Sequence, residues 1–212
     1  MPVAKETKRR PKPPSSRIRF LAPLLAAALL AFALLASACL PVSLGDPAES
    51  KTQPRFNGAW LFVEDTGEHM LYLVRSYDER THLVQHFSFD MEDGEVQPRS
   101  TSLAKAWLTE IEGHIFGTLD ILDPKHFVGE KNESPIRYVV VRLDLEGDRL
   151  TVRSTDPNSE HFEDLDTPEQ ARRIIAEHVE DDAIYLEPHT MRKLGEDHHE
   201  RIRKVLKAFH QD

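Results

Sequence analysis

The sequence predicts a mainly β domain of the α+β class, an antiparallel β-barrel or sandwich with one or two flanking C-terminal helices. Three observations lead to this expectation. Short apolar runs alternate with turn residues at roughly ten-residue intervals over residues 55–154, as antiparallel strands do. Apolar residues then recur at helical spacing toward the C-terminus. The chain has a single cysteine, so a hydrophobic core rather than a disulfide must hold the fold together.

Seven segments have the composition of strands. Each is rich in β-branched, aromatic or leucine residues, and turn residues such as Asp93-Gly94 separate them. Pro98 is expected to delay strand pairing until Thr101, because proline has no N–H to donate to a ladder. A loop is expected over residues 122–134. The predicted strands cover residues 58–63, 70–77, 82–89, 101–108, 114–121, 136–145 and 149–154.

A first helix is expected to begin at Pro168. Thr167 can cap it, proline suits the first helical position, and Gln170 completes a capping box. A short returning strand is expected over residues 183–186.

A second helix is expected after Pro188, with Thr190 as its cap and Gly195 weakening its first turns. Apolar residues at helical spacing predict the face that this helix buries. They are Ile202, Val205, Leu206 and Phe209.

Two predicted strands, 70–77 and 136–145, carry apolar residues on both faces. A strand in a sheet with one solvated face should alternate more cleanly between apolar and polar residues. Either the C-terminal helices cover the second face, or that face lines a cavity or a partner-binding patch. The sequence leaves both interpretations open.

Residues 1–38 have the order of an export signal. A basic stretch ends at Arg19, residues 20–36 are almost wholly apolar, and small residues precede Cys39. An apolar run of about 17–25 residues can also span a bilayer. A permanent membrane helix over residues 20–40 and a simple secreted protein are therefore the alternatives.

The segment Leu35-Ala36-Ser37-Ala38-Cys39 resembles the lipobox of bacterial lipoproteins. The resemblance implies cleavage before Cys39 and lipidation of that cysteine, whose acyl chains would anchor the protein to a membrane. Residues 1–38 would be the signal peptide, residues 39–54 the lipidated cysteine and a flexible tether, and residues 55–212 a single globular domain. The implied location is the bacterial cell envelope. In a Gram-negative source it is the periplasmic face of the outer membrane, since Leu40 is not the aspartate that marks inner-membrane retention.

Gly58-Ala59-Trp60 resembles the Gly-x-Trp start of lipocalin-type barrels, and the hairpin over residues 139–152 is similar to one in small uncharacterised bacterial lipoproteins. The resemblance covers most of residues 56–212. It implies a non-enzymatic accessory or protein-interaction domain. The alternative that it implies is a carrier of a small hydrophobic ligand in the barrel.

The charge of the chain argues against nucleic acid as a partner. The full chain carries 27 basic and 36 acidic residues, a net charge of −9. Removing the seven basic residues and the one acidic residue of the leader leaves −15. Such a surface repels phosphate backbones.

No residue pattern predicts catalysis or a cofactor. A Gly-x-Ser-x-Gly nucleophile motif is absent from the sequence. Glu110 and Glu112 are expected to lie on a solvated strand edge. The aspartates near the first helix lack the spacing of an EF-hand; they are Asp156, Asp164 and Asp166. Trp60 and Trp107 are expected to be core residues.

The eleven histidines of this exported chain raise the question of a metal site. His82 and His86 share one strand face, but their α-carbons would be about 13 Å apart, too far to bind one ion. His198 and His199 would diverge by about 100° on a helix. We therefore expect surface histidines, no metal ligands and no cofactor.

Overall fold

A computed structural model describes residues 39–122 and 138–210. The signal-peptide prediction for residues 1–38 and most of the predicted loop lie outside these residues. Within them, no helix combines the length and apolar character needed to cross a membrane. The described residues form nine strands: β1 (Cys39–Leu40), β2 (Gly58–Val63), β3 (His69–Ser76), β4 (Thr81–Glu92), β5 (Glu95–Ile111), β6 (His114–Ile121), β7 (Tyr138–Glu146), β8 (Arg149–Ser154) and β9 (His189–Leu194). The two α-helices are α1 (Pro168–His178) and α2 (His199–Ala208).

Strands β2 to β9 form a closed antiparallel barrel of eight strands. Each strand from β2 to β8 pairs with the next one in sequence, and β9 pairs with both β8 and β2. The predicted mainly β fold is therefore confirmed, and closure decides for a barrel over a sandwich. The short strand β1 adds to the edge of β7, where Cys39 pairs with Val139.

The predicted helix start after Pro188 is wrong, because His189–Leu194 is the strand that closes the barrel. Met191 is buried in the lumen, while Thr190 faces outward and pairs with Thr151. Backbone groups of β2 and β8 would otherwise be left unpaired, and these long-range hydrogen bonds outweigh the helical pattern. The helix begins ten residues later than Pro188 suggests, at His199.

In the longest hairpin, strands β4 and β5 extend beyond the bounds that the sequence predicted for them. Pro98 pairs with Phe89 at a register shift between Ser88 and Phe89. This irregularity accommodates the proline, so the strand begins before Thr101. Asp93 and Gly94 make the tight turn with φ of 51° and 79°, as a type I′ hairpin requires.

The lumen contains a large apolar cluster centred on Trp60, with Val141, Leu150 and Met191 around it. Phe56, which is 4% exposed, belongs to the same cluster and lies just before β2. The indole Nε1 of Trp60 donates to the carbonyl oxygen of Phe56 at 2.9 Å. The turn before β2 therefore caps one end of the barrel. Trp60 is a core residue, as the sequence predicted.

The helices cover the second apolar face of the strands. Val205 of α2 is buried in a cluster with Leu71 and Phe87, and Ile175 of α1 is buried with Phe116 and Val140. The first of the two interpretations of the doubly apolar strands is thus correct at these positions. All four residues predicted for the buried face of the last helix pack in this way.

The capping box of α1 is present. Gln170 N–H donates to Thr167 Oγ1 at 3.2 Å, and the Gln170 side chain accepts from Thr167 N–H at 2.9 Å. The predicted strand over residues 183–186 is wrong. Asp182–Ile184 forms a 3₁₀ turn, and only an isolated bridge joins Tyr185 to Thr155.

The segment expected to be a flexible tether packs instead on the outside of the barrel. Leu40 and Leu44 are fully buried against α1 and the outer face of the strands. The Leu44 carbonyl accepts hydrogen bonds from three side chains, those of Trp107, Thr109 and Thr118. We call residues 40–54 the strap. Its two buried leucines, with Val42 packed against the same cluster, explain why it stays on the barrel.

Candidate functional site

Two titratable side chains face each other inside the barrel. Tyr72 on β3 and His86 on β4 are directly opposite one another, with ring centroids 4.8 Å apart. Burial raises the pKa of Tyr72 to about 12, and the carboxylates of Glu64 and Glu68 add to the rise. Burial also lowers the pKa of His86, although Glu68 opposes that shift. Both rings are therefore neutral at pH 7.

The hydrogen-bonding capacity of this pair is incompletely used. The Tyr72 hydroxyl makes a weak contact of 3.6 Å with the Met70 sulfur. Nε2 of His86 is buried and has no hydrogen-bond partner within the described part of the chain. Buried polar atoms are almost always paired. The pair therefore offers a neutral donor and acceptor to a group that enters the lumen.

Apolar side chains surround the pair on neighbouring strands. Trp60 is opposite Tyr72 on β2, Val74 follows Tyr72 on the same face of β3, and Ser102 on β5 is opposite His86. The barrel wall thus combines a few polar groups with a mostly apolar surface. Binding sites for small, largely apolar molecules have this composition.

Charged side chains connect the loops at the end of the lumen opposite Phe56. Glu68 accepts a hydrogen bond from the Ser88 hydroxyl. Arg99 bridges Glu68 at 3.3 Å and Asp90 at 2.6 Å. The Asp90 hydrogen bond is the main reason that the Arg99 pKa is raised. This network joins the β2–β3 turn to the β4–β5 hairpin.

Cys39 lies at the end of the barrel opposite Phe56, and the Tyr72–His86 pair lies midway along β3 and β4. Cys39 is opposite Val139 at the beginning of β7, where β6 ends. Ile121, the last residue of β6, pairs with Ala104 of β5, two residues beyond the partner of His86. The capped end, where Phe56 lies, is the other one.

The carboxylates considered from the sequence have local structural roles. Glu112 lies in the β5–β6 turn at φ 50°, and Asp164 has φ 58°. Asp156 accepts a hydrogen bond from the backbone of Asn158 at 2.9 Å. The ring of His198 contacts the carboxylate of its neighbour Asp197 at 2.9 Å. The structure does not gather these groups into a common site.

A more compact polar cluster lies on the outer surface, between the end of α1 and the turns that flank it. His161 Nε2 and His178 Nδ1 are 4.0 and 3.8 Å from Asp181 Oδ2. One ligand atom from each residue lies within 4.8 Å of the others. No sequence pattern indicated this cluster, because 17 residues of chain and a helix separate the two histidines.

An open groove of about 340 Å³ runs beside β9. An ion pair between Arg192 and Asp148, 3.3 Å apart, spans part of it. Both side chains are well exposed, so the groove is solvated and offers a ligand little burial. The residues that line it are Leu61, Asp148, Arg149, Thr190, Met191 and Arg192.

The fold defines the structural class, a closed eight-stranded antiparallel barrel with helices on its outer surface. No protein-family model matches the chain, and comparison with curated proteins and with solved structures gave no significant match. One barrel fold supports many unrelated functions. The features of this chain that bear on its function are therefore the lumen, Cys39 and the outer histidine cluster.

Proposed function

We propose that the protein is a lipid-anchored lipoprotein of the bacterial cell envelope whose barrel carries a small hydrophobic ligand with one polar group. The observation that carries this proposal is the buried, unpartnered Nε2 of His86 beside Tyr72 in an apolar lumen. A ligand group that forms a hydrogen bond with this nitrogen would remove the cost of an unsatisfied buried atom. An eight-stranded barrel either fills its interior with side chains or holds one small ligand, and the proposal requires the second case at the Tyr72–His86 pair.

Neutral side chains favour a neutral ligand. Because burial holds both Tyr72 and His86 in their uncharged forms, neither would compensate a buried ligand charge. The carboxylates of Glu64 and Glu68, which act on Tyr72, further disfavour an anionic ligand. The ligand class is thus an uncharged, mostly apolar molecule with one hydroxyl, amide or amine group.

The position of Cys39 supports the anchored part of the proposal. Residue 40, directly after the lipobox-like segment, is already buried in the fold. Acyl chains on Cys39 would hold the barrel against the bilayer, with almost no linker between them. The end of the barrel opposite Phe56 would then face the lipid, from which a hydrophobic ligand could enter the lumen.

A protein-interaction domain is the alternative, and it needs a contiguous exposed apolar patch. The large apolar side chains that the described residues expose are few and lie on separate elements. They are Val63, Tyr77, Met91 and Ile121. This distribution favours the lumen as the binding surface.

Ligand binding can be tested with the fluorescent apolar amine N-phenyl-1-naphthylamine. We expect it to bind the wild type with a stoichiometry of one and a strong rise in emission. His86→Phe removes the buried nitrogen and should weaken binding roughly 2- to 10-fold, the value of one net hydrogen bond. Tyr72→Phe should weaken the binding of ligands that contact the hydroxyl, whereas Tyr77→Phe, at an exposed position, is the matched control.

Equal affinity in the wild type and His86→Phe, or no stoichiometric binding at all, would contradict the carrier proposal. A barrel that binds no probe but retains a specific protein in a pull-down that Tyr77→Asp abolishes would support the interaction domain instead.

The anchor is tested separately, by membrane fractionation and intact mass. The wild type should be membrane-bound, begin at Cys39 and carry the mass of three acyl chains. Cys39→Ala should remain an unprocessed precursor. If both proteins stay in the membrane at full precursor length, residues 20–40 are a permanent helix and the lipoprotein assignment is wrong, whatever the probe experiment shows.

A further inference from the structure

Three separate elements bring His161, His178 and Asp181 together outside the barrel. His161 lies in the 3₁₀ turn Glu160–Phe162, which the buried Phe162 holds in place. His178 is the last residue of α1. Asp181 is the N-cap of the 3₁₀ turn Asp182–Ile184. The three side chains therefore meet because the segment between β8 and β9 packs against the barrel.

The carboxylate of Asp181 is oriented by its backbone surroundings. Its Oδ1 accepts a hydrogen bond from Ala183 N–H at 2.9 Å, and its own N–H donates to the His178 carbonyl at 2.9 Å. Oδ2 is thereby left directed at the two imidazoles. Carboxylate ligands of metals are commonly held in this way by a hydrogen bond to the other oxygen.

The separations are too long for hydrogen bonds and suit a shared ion. Asp181 Oδ2 is 3.8 and 4.0 Å from the nearest histidine nitrogens, beyond the roughly 3.2 Å limit for a good N–H···O bond. Ligands at about 2.0–2.1 Å from a tetrahedral zinc ion lie roughly 3.3 Å from one another. Small side-chain rotations would close the difference.

The two rings also lie unusually near each other. Their centroids are 4.0 Å apart at an interplanar angle of 39°. Side-chain exposures of 23%, 33% and 46% for His161, His178 and Asp181 leave the cluster open on one side. An ion there would keep a coordination position for water or another ligand.

We propose that His161, His178 and Asp181 form a binding site for a divalent transition metal, with Zn²⁺ as the best fit. Two imidazole nitrogens and one carboxylate oxygen match the preferences of zinc. Calcium and magnesium prefer sites made entirely of oxygen ligands. The bound ion would join the end of α1 to both neighbouring turns, and so fasten the segment between β8 and β9.

The test is titration of the full chain, purified without a histidine tag and freed of metal with EDTA, with Zn²⁺ against a chromophoric chelator. We expect one equivalent to bind and to raise the melting temperature, since a ligand that binds only the folded state stabilises it. Asp181→Asn keeps a side-chain oxygen that can accept from Ala183 N–H. It should therefore fold normally and yet bind Zn²⁺ at least 10-fold more weakly, as should His178→Gln.

His198→Gln is the matched control, because this histidine also lies beside an aspartate, at 2.9 Å, but outside the cluster. Its affinity for Zn²⁺ should equal that of the wild type. Cobalt(II) provides a second measurement, with the intense visible absorption of a tetrahedral site in the wild type and its loss in Asp181→Asn. The proposal is overturned if the wild type binds no stoichiometric Zn²⁺, or if the His198 variant alone loses it.

Discussion

His82 is almost completely buried near the capped end of the barrel, and both of its ring nitrogens have partners. Nε2 lies 3.2 Å from the backbone N–H of Gln53, which can only donate, so Nε2 is the acceptor. Nδ1 lies 3.2 Å from Asn57 Oδ1, to which it donates its proton. The hydrogen-bond network thus assigns His82 as a neutral imidazole that joins the strap to the turn before β2.

The stability of the protein should fall below neutral pH because of His82. Burial lowers the pKa of His82 below its ordinary value of 6.5. As the pH falls below about 6.5, the unfolded chain therefore takes up a proton before the folded protein does. This contribution to stability is complete above that pH and is lost as the pH falls toward the folded-state pKa.

Urea unfolding between pH 8 and pH 5 measures this effect. His82→Gln should be less stable than the wild type at pH 8 and should lose less free energy on acidification. His86, whose pKa is also lowered, should retain part of the slope in that variant. An exposed change, His198→Gln, should leave the wild-type slope intact. Identical slopes for the His82 variant and the wild type would contradict the assignment.

For single residues, the sequence predicted part of the arrangement of the histidines. The period of a strand correctly places His82 and His86 on one face, at a spacing that excludes a shared ion. The partners of His82 are 25 and 29 residues away, and no local pattern indicates them. Asp181 and the two histidines near it were missed for the same reason.

The strap is the element whose behaviour differs most from expectation. Its conformation depends on Gly45, which has φ of 81° and follows the buried Leu44. A Cβ at this position would lie 2.5 Å from Thr109 Oγ1, the group that donates to the Leu44 carbonyl. The strap can approach β5 this closely only because residue 45 is a glycine.

Gly45→Ala should lower the free energy of unfolding by about 2–4 kcal/mol, from left-handed strain of about 1 kcal/mol together with overpacking. Gly67→Ala is the matched control. Gly67 has a similar φ of 89°, with open space around it. The free energy of unfolding of Gly67→Ala should therefore fall only by the cost of left-handed strain. Urea unfolding followed by tryptophan fluorescence measures both variants. Equal losses would mean that the strap does not pack on Thr109.

At the scale of the whole molecule, α2 closes the outer face of half the barrel. Val205 is 2% exposed and lies in one cluster with Leu71, Phe87 and Phe89. Phe209 adds an edge-to-face contact with Phe87 at 5.0 Å. Without the helix these strands would expose a broad apolar surface beside the lumen wall.

Val205→Asp should therefore detach α2 and lower the free energy of unfolding by about 3 kcal/mol or more, the cost of burying an unpaired charge. The uncovered face should bind an apolar dye and promote self-association, which light scattering would detect. Arg201→Asp introduces an aspartate at an exposed position of the same helix and is the matched control. The free energy of unfolding of this variant should change by less than about 1 kcal/mol. Similar losses in both variants would argue that α2 contributes little to the fold.

Local pattern alone determined most of the strands, the capping box of α1 and the buried face of α2, because each depends on residues a few positions apart. The tertiary structure decided the rest. It made His189–Leu194 a strand, since β2 and β8 needed a partner between them. It held the strap on the barrel through two leucines, and it brought Tyr72 to His86 and Asp181 to its histidines. These contacts join distant parts of the chain, and only closure of the barrel makes them neighbours.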